Sequence, residues 1–127
     1  MIKIEHTALF AADLEKTKDF FIKYFGATTN ESYHNKETDF RSYFLTFSDG
    51  ARLEIMNVPD LKPGFGDECC VGHHHIAFSV GSEETVCELT DRLENDGYIV
   101  LRGPRTTGDG YFESAVEADG IVIKITV

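Results

Sequence analysis

Asp49-Gly50-Ala51-Arg52-Leu53-Glu54-Ile55 is answered 70 residues later by Asp119-Gly120-Ile121-Val122-Ile123-Lys124-Ile125. Each segment opens on Asp-Gly, a dipeptide suited to the positive φ angles of a tight hairpin turn. Each goes on with aliphatic residues at alternate positions, the period of a half-buried strand. Upstream, His6-Thr7-Ala8-Leu9-Phe10 aligns with His75-Ile76-Ala77-Phe78-Ser79 at an offset of 69 residues. A His opens both segments, an Ala stands two residues on, and a helical pattern follows. Two matches at nearly one offset, with like elements between them, read as an internal duplication.

The intervening residues fill in the repeated unit. Alternation over residues 2–10 predicts a strand. Asp13 then caps a helix whose apolar stripe is Leu14, Thr17, Phe20, Phe21, Tyr24 and Phe25, with Gly26 as its stop. The aromatic members of this stripe read as core. A weaker strand near 28–33, a strand over 40–48 and the returning strand over 51–57 complete a β-α-β-β-β unit. Pro59, Pro63, Gly64, Gly66 and Gly72 mark 58–72 as a linker. The pattern then restarts. A strand is expected over 73–80, a Ser82-capped helix with Val86, Leu89, Thr90 and Leu93 on one stripe, and a short strand over 98–101. A Gly-rich loop over 103–110 and strands over 111–117 and 121–127 follow. The expected fold is α+β: two paired β-α-β-β-β units in one domain spanning 1–127. Repeat 1 covers about 1–57 and repeat 2 about 73–127. Together they are expected to form a curved eight-stranded open cup with the helices on its outer face.

Side chains alternate between the two faces of a strand. Ile121, Ile123, Ile125 and Val127 share one face of the last strand, which places Lys124 on the other. By the same rule Glu54 lies opposite Leu53 and Ile55, His75 opposite Ile76 and Phe78, and His6 opposite Thr7 and Leu9. All four polar residues fall on the face away from the helices. Arg52 shares the face of Glu54. A single His or Lys in a strand is ordinarily a structural or solvated residue; the repeat is what assigns these four to one surface.

Composition sets the outer limits. The chain has 127 residues, 42% of them hydrophobic and 27% charged, with a formal net charge of −10. That balance suits a folded domain and argues against nucleic acid or an anionic membrane as partner, since phosphates select clustered Lys and Arg. No apolar run reaches the roughly 18–20 residues of a membrane helix. The N-terminus reads as a strand and not as a signal peptide. Cys69, Cys70 and Cys87 are an odd set without Cys-x-x-Cys spacing, so reduced thiols in a cytoplasmic protein are expected.

The opening His6-Thr7-Ala8-Leu9, the Arg52-Leu53-Glu54-Ile55 strand, the Gly72–Val80 segment and the Asp119–Ile125 end together resemble the vicinal-oxygen-chelate superfamily. That superfamily includes glyoxalase I and the fosfomycin-resistance, extradiol dioxygenase and bleomycin-resistance proteins. The resemblance covers essentially the whole chain. It implies the paired β-α-β-β-β fold, a small-molecule substrate or ligand, and a homodimer that in some members shares its sites. It also implies a divalent metal (Zn, Ni, Mn or Fe) held by His6, Glu54 and His75, chelating substrate oxygens as a Lewis acid. The fourth ligand position falls on Lys124, where the resemblance expects a carboxylate. An ammonium about 5 Å from a divalent ion is repelled by several kcal/mol at an effective dielectric near 20. An ion pair of Lys124 with Glu54 is therefore expected, and standard glyoxalase I activity is not.

Two functions follow. One is a glyoxalase-like lyase or isomerase with Glu54 and Lys124 in catalysis. The other is a metal-free binding protein of the bleomycin-resistance type that sequesters a small ligand. Arg52 and Arg105 are the candidates for an anionic substrate group, Arg105 from the Gly-rich loop as a lid. Arg41 is a weaker candidate. His73 shares the parity of His75 and is a secondary candidate ligand; His74 does not.

Overall fold

In a computed structural model of the chain, which describes residues 1–64 and 71–127, both Asp-Gly pairs reverse a strand onto its neighbour. At the second turn Asp119 and Gly120 both hold positive φ, +52° and +80°, as a two-residue hairpin of this hand requires. The chain divides into two compact units, Met1–Pro63 and Gly64–Val127.

The first unit runs β1 (His6–Phe10), α1 (Leu14–Phe25), β2 (Thr28–Thr29), β3 (Tyr33–Asn35), β4 (Phe40–Thr46) and β5 (Arg52–Asn57). Its sheet has the order β1-β5-β4-β2, with β3 also on β4 and β1 parallel to β5. α1 starts where Asp13 accepts the Lys16 amide at 3.0 Å and ends where Gly26 turns left-handed at φ +65°. Thr17, Phe20, Phe21 and Tyr24 are buried on its inner stripe, and Leu45, Leu53 and Ile55 are buried on the sheet beneath. Each fully buried apolar side chain of this size contributes about 1.5–3 kcal/mol relative to exposure. Tyr43, pointing the same way from β4, bonds Glu15 of the helix.

The second unit runs β6 (Ile76–Ser79), α2 (Glu83–Asn95), β7 (Ile99–Thr106), β8 (Phe112–Ala118) and β9 (Ile121–Thr126), in the sheet order β6-β9-β8-β7 with β6 parallel to β9. Ser82 caps α2 by accepting the Thr85 amide at 3.1 Å. Val86, Thr90 and Leu93 are buried on α2, as are Ser114, Val116, Ile123 and Ile125 on the sheet. The two sheets repeat one plan to the residue. Ala8 of β1 stands beside Glu54 of β5, and Ala77 of β6 stands beside Lys124 of β9. This is the α+β, twice-repeated β-α-β-β-β fold read from the sequence. The second strand of the first unit is divided into β2 and β3, so nine strands occur among the described residues.

Several boundaries differ from expectation. The first strand begins at His6 and not at residue 2, because β5 offers partners only from Arg52 onward; the Arg52 amide still reaches Glu5 O at 2.9 Å. β6 begins at Ile76, so His75 precedes the strand and His73 and His74 lie further out. The pairing with the parallel partner β9 stops at Ile76–Ile123, although Val122 and Ile121 extend beyond it; only His73 falls past the start of β9. The Gly-rich loop is shorter than predicted, since β7 continues through Gly103, Pro104 and Arg105 to Thr106. Register shifts between Val100 and Arg102 and between Arg102 and Arg105 absorb the Gly-Pro pair as bulges on an edge strand. What remains is a tight turn in which the Thr107 amide reaches Tyr111 O at 2.7 Å. Gly66, Cys69 and Cys70 lie outside the described residues. Cys87 is a free, part-buried thiol on α2. Among the described residues no helix is long and apolar enough to cross a membrane.

Candidate functional site

On the first unit, the sheet face away from α1 carries His6, Ala8 and Phe10 from β1 and Arg52, Glu54 and Met56 from β5, since residues paired in register share a face. Glu54 lies beside Ala8, one step along the strand pair from His6 and Arg52. Phe44 of β4, opposite Glu54, completes the patch. The His6 ring meets the Phe44 ring edge-on at 5.4 Å, and the Arg52 guanidinium lies over the same ring at 4.3 Å. Glu5 ties the two together: its carboxylate takes a hydrogen bond from His6 Nδ1 and another from Arg52 Nε at 2.7 Å. His6 and then Arg52 hold the Glu5 carboxyl below the usual range, so it is an acceptor only. His6 Nδ1 must therefore carry the proton, which leaves Nε2 with a lone pair when the ring is neutral. Arg52 is thus occupied by Glu5 and Phe44. Glu54, part-buried, makes no ion pair within its unit.

On the second unit, the face away from α2 carries Val122, Lys124 and Thr126 from β9 with Glu113, Ala115 and Glu117 from β8. Ala77 and Ser79 come from β6, and His75 directly precedes that strand. Lys124 donates to Glu113, Nζ to Oε1 at 3.0 Å. The side chains are 25% and 14% exposed. The carboxylate held by Lys124 is therefore Glu113, where the sequence reading expected Glu54. The His75 pKa is lowered from 6.5 first by burial and then by the Lys124 charge, with Glu113 opposing. The ring is accordingly neutral near pH 7 and can offer a nitrogen lone pair. Its Nδ1 lies 2.9 Å from His74 Nδ1. Arg105 stands opposite Glu113 in register and is exposed. Arg41, outside both patches, lies 3.5 Å from Asp39.

Sequence reasoning missed Glu5, Phe44 and Glu113. Glu113 was within reach: counting back from the Asp119-Gly120 turn puts Lys124 opposite Ala115 and hence diagonal to Glu113. Glu5 carried no such signal. It precedes the strand, where alternation of faces gives no direction to a side chain.

The donor chemistry of His6 Nε2, the Glu54 carboxylate and the neutral His75 ring suits a divalent first-row metal. Lys124 does not suit one. Within either unit by itself, no three His, Cys, Asp or Glu of the described residues stand together as ligands.

The sequence matches the family model of the Glyoxalase/Bleomycin resistance protein/Dioxygenase superfamily over residues 3–125. The chain belongs to this superfamily. A relative from Bacillus subtilis (strain 168), YqjT, is 30% identical over 114 residues, which is 86% of this chain and 85% of that protein. Among solved structures, a possible glyoxalase from Bacillus cereus is 25% identical with a TM-score of 0.72, each chain being covered in full. The fosfomycin resistance protein FosX of Listeria monocytogenes, as a mutant complexed with Mn(II) and 1S,2S-dihydroxypropylphosphonic acid, is 26% identical. Its TM-score is 0.74, over 99% of this chain and 93% of that one. A superfamily domain from Frankia sp. EAN1pec gives 0.82 at 17% identity over 100% and 98%, a likeness of fold.

Proposed function

We propose that this superfamily member is a glyoxalase-like small-molecule enzyme of lyase or isomerase type, with His6, Glu54 and His75 as the ligands of a divalent metal. The observation that carries the reading is the state of the three donors. His6 has its Nδ1 committed to Glu5, Glu54 has no ion-pair partner in its unit, and His75 is kept neutral by burial. Two imidazoles and a carboxylate are a common first shell for Zn, Mn, Fe or Ni with positions left for substrate oxygens. Bound there, the metal would supply Lewis-acid polarisation of a substrate oxygen.

The chain's own residues do the rest. Glu5 fixes the tautomer of His6. Glu54 and Lys124 are the groups for moving a proton, the carboxylate accepting and the ammonium donating. Arg105, exposed at the edge strand, is free to meet an anionic substrate group; Arg52 serves chiefly to hold Glu5 in place. The protein is read as a cytoplasmic homodimer acting on a small molecule.

A second reading is a metal-free binder of the bleomycin-resistance type, favoured by the ammonium of Lys124 at the position that repeats Glu54. Elemental analysis of untagged protein purified without added metal separates the two. Stoichiometric metal that disappears in His75→Ala supports the enzyme reading. No metal in the native protein, with uptake in Lys124→Glu, supports the binder. An untagged protein and a nickel-free column matter, because a His-rich run such as His73-His74-His75 can take up column nickel adventitiously.

A further inference from the structure

The sheet face of the first unit that carries Glu54 is laid out in rungs. Residues paired in register stand side by side, and successive rungs are two residues, or roughly 7 Å, apart. The first rung is polar, His6 with Arg52. The second holds Ala8, Glu54 and Phe44. The third crosses four strands: Phe10 of β1, Met56 of β5, Ser42 of β4 and Tyr33 of β3. We propose that this third rung is the subsite for an uncharged aromatic group of the substrate, with Phe10 and Tyr33 as the residues that select it. The proposal deepens the reading above, in which Glu54 marks the reacting end of a small-molecule site.

Shape, ring contacts and charge all support it. Phe10 and Tyr33, at the two ends of the rung, are 52% and 54% exposed. Between them Met56 is half-buried and the small Ser42 is buried, so the rung is low in the middle and walled at both ends. Three strand spacings separate the end backbones, about 14 Å, which leaves room for one ring between the two aromatic side chains. Phe44 is already engaged, with Arg52 over its face and His6 at its edge. Phe10 makes no ring contact among the described residues, and Tyr33 meets Phe40 at 6.1 Å. A ring seated here gains edge or stacking contacts with Phe10 and Tyr33 and a thioether contact with Met56, which an aliphatic group of equal size does not. No side chain of the rung is charged, and the Glu54 carboxylate one rung away opposes an anion. The occupant is therefore a neutral ring, continuous with the polar rungs.

The chain has two methionines, Met1 and Met56, so methyl NMR reads the rung directly and keeps Met1 as an internal control. The full chain, labelled with 13C at the methionine methyl groups, is titrated with benzyl alcohol and with cyclohexylmethanol as its non-aromatic match. Benzyl alcohol is expected to shift the Met56 methyl saturably by its ring current and to leave Met1 in place. Its affinity should fall at least about threefold in Phe10→Ala and in Tyr33→Ala, and cyclohexylmethanol should bind at least about threefold more weakly. Both replaced residues are exposed, and melting curves check that each variant folds; if Tyr33→Ala does not, Phe10→Ala decides alone. No saturable shift at Met56, equal affinity for the two alcohols, or wild-type affinity in the variants overturns the proposal. A second copy of the chain seated on the rung also overturns it: sedimentation would then show a dimer that Phe10→Ala dissociates, with Met56 unmoved by benzyl alcohol. Metal analysis of the same samples keeps the two readings apart. Stoichiometric metal without ring binding sinks the subsite alone, and ring binding without metal sinks the metal reading and leaves the subsite.

Discussion

Lys124 Nζ lies 3.0 Å from Glu113 Oε1 across the β8–β9 pair, and the two side chains are 25% and 14% exposed. Removing one partner leaves the other charge partly desolvated and uncompensated. Lys124→Met is expected to cost about 1–3 kcal/mol of stability. The double variant Lys124→Met/Glu113→Leu should recover most of that loss. Urea unfolding of the cycle measures it, and strictly additive losses would contradict the pair.

A buried relay joins α2 to its sheet. The Thr90 hydroxyl donates to Val86 O at 2.6 Å, so its contact with Ser114 Oγ at 2.7 Å must have Ser114 as donor. Thr90→Val removes the acceptor and strands the Ser114 proton in the core. A loss of about 1–3 kcal/mol is expected, reduced when Ser114→Ala is added. Chemical denaturation of both variants is the check; a double variant less stable than Thr90→Val would refute the assignment of donor.

The pH dependence follows from His75. Its pKa in the fold is lowered from 6.5 by burial and by Lys124. The unfolded chain therefore binds the proton more readily, and stability rises with pH through the window below 6.5. The contribution is present above the unfolded pKa and is lost as pH falls through 6.5 toward the folded value. Proton NMR titration should place His75 below 6.5, and His75→Gln should flatten stability over that window. A titration at or above 6.5 would contradict the account.

Gly103 sits at φ +75° in the bulge of β7, where a Cβ would come 2.6 Å from Glu113 O. Gly103→Ala combines a left-handed backbone with a clash against the backbone of the very residue that holds Lys124. A cost of at least about 1–3 kcal/mol is expected. Gly120→Ala, also left-handed but with nothing within 4 Å, should cost less. Melting temperatures rank the two, and the reverse order would argue against the bulge geometry.

Fold was legible because it rests on repetition. The Asp-Gly turns, the aliphatic alternation and the aromatic stripe of α1 are all local signals, and each recurs where its counterpart predicts. Boundaries were less legible because they depend on partners. The pairing of β6 with β9 stops at Ile76–Ile123 although β9 extends to Ile121, and Gly103-Pro104 stays in a strand because a bulge absorbs it. For the site, strand parity gave the faces of His6, Glu54 and Lys124 within their own sheets, whereas His75 precedes its strand, where parity gives no direction. The partner of Lys124 required a register count that parity alone does not contain. The hold of Glu5 on His6 and Arg52 arises outside any regular element, where periodicity says nothing.

The central claim is that His6, Glu54 and His75 bind one metal. Electron spin-echo spectroscopy of Mn(II)-loaded protein carrying 15N-labelled histidine tests it most directly. The account predicts nitrogen couplings from two imidazoles, reduced to one in His6→Ala and in His75→Ala, with Glu54→Gln weakening the metal but keeping both. Absence of imidazole coupling in the wild type, or a spectrum unchanged in both His variants, would contradict it.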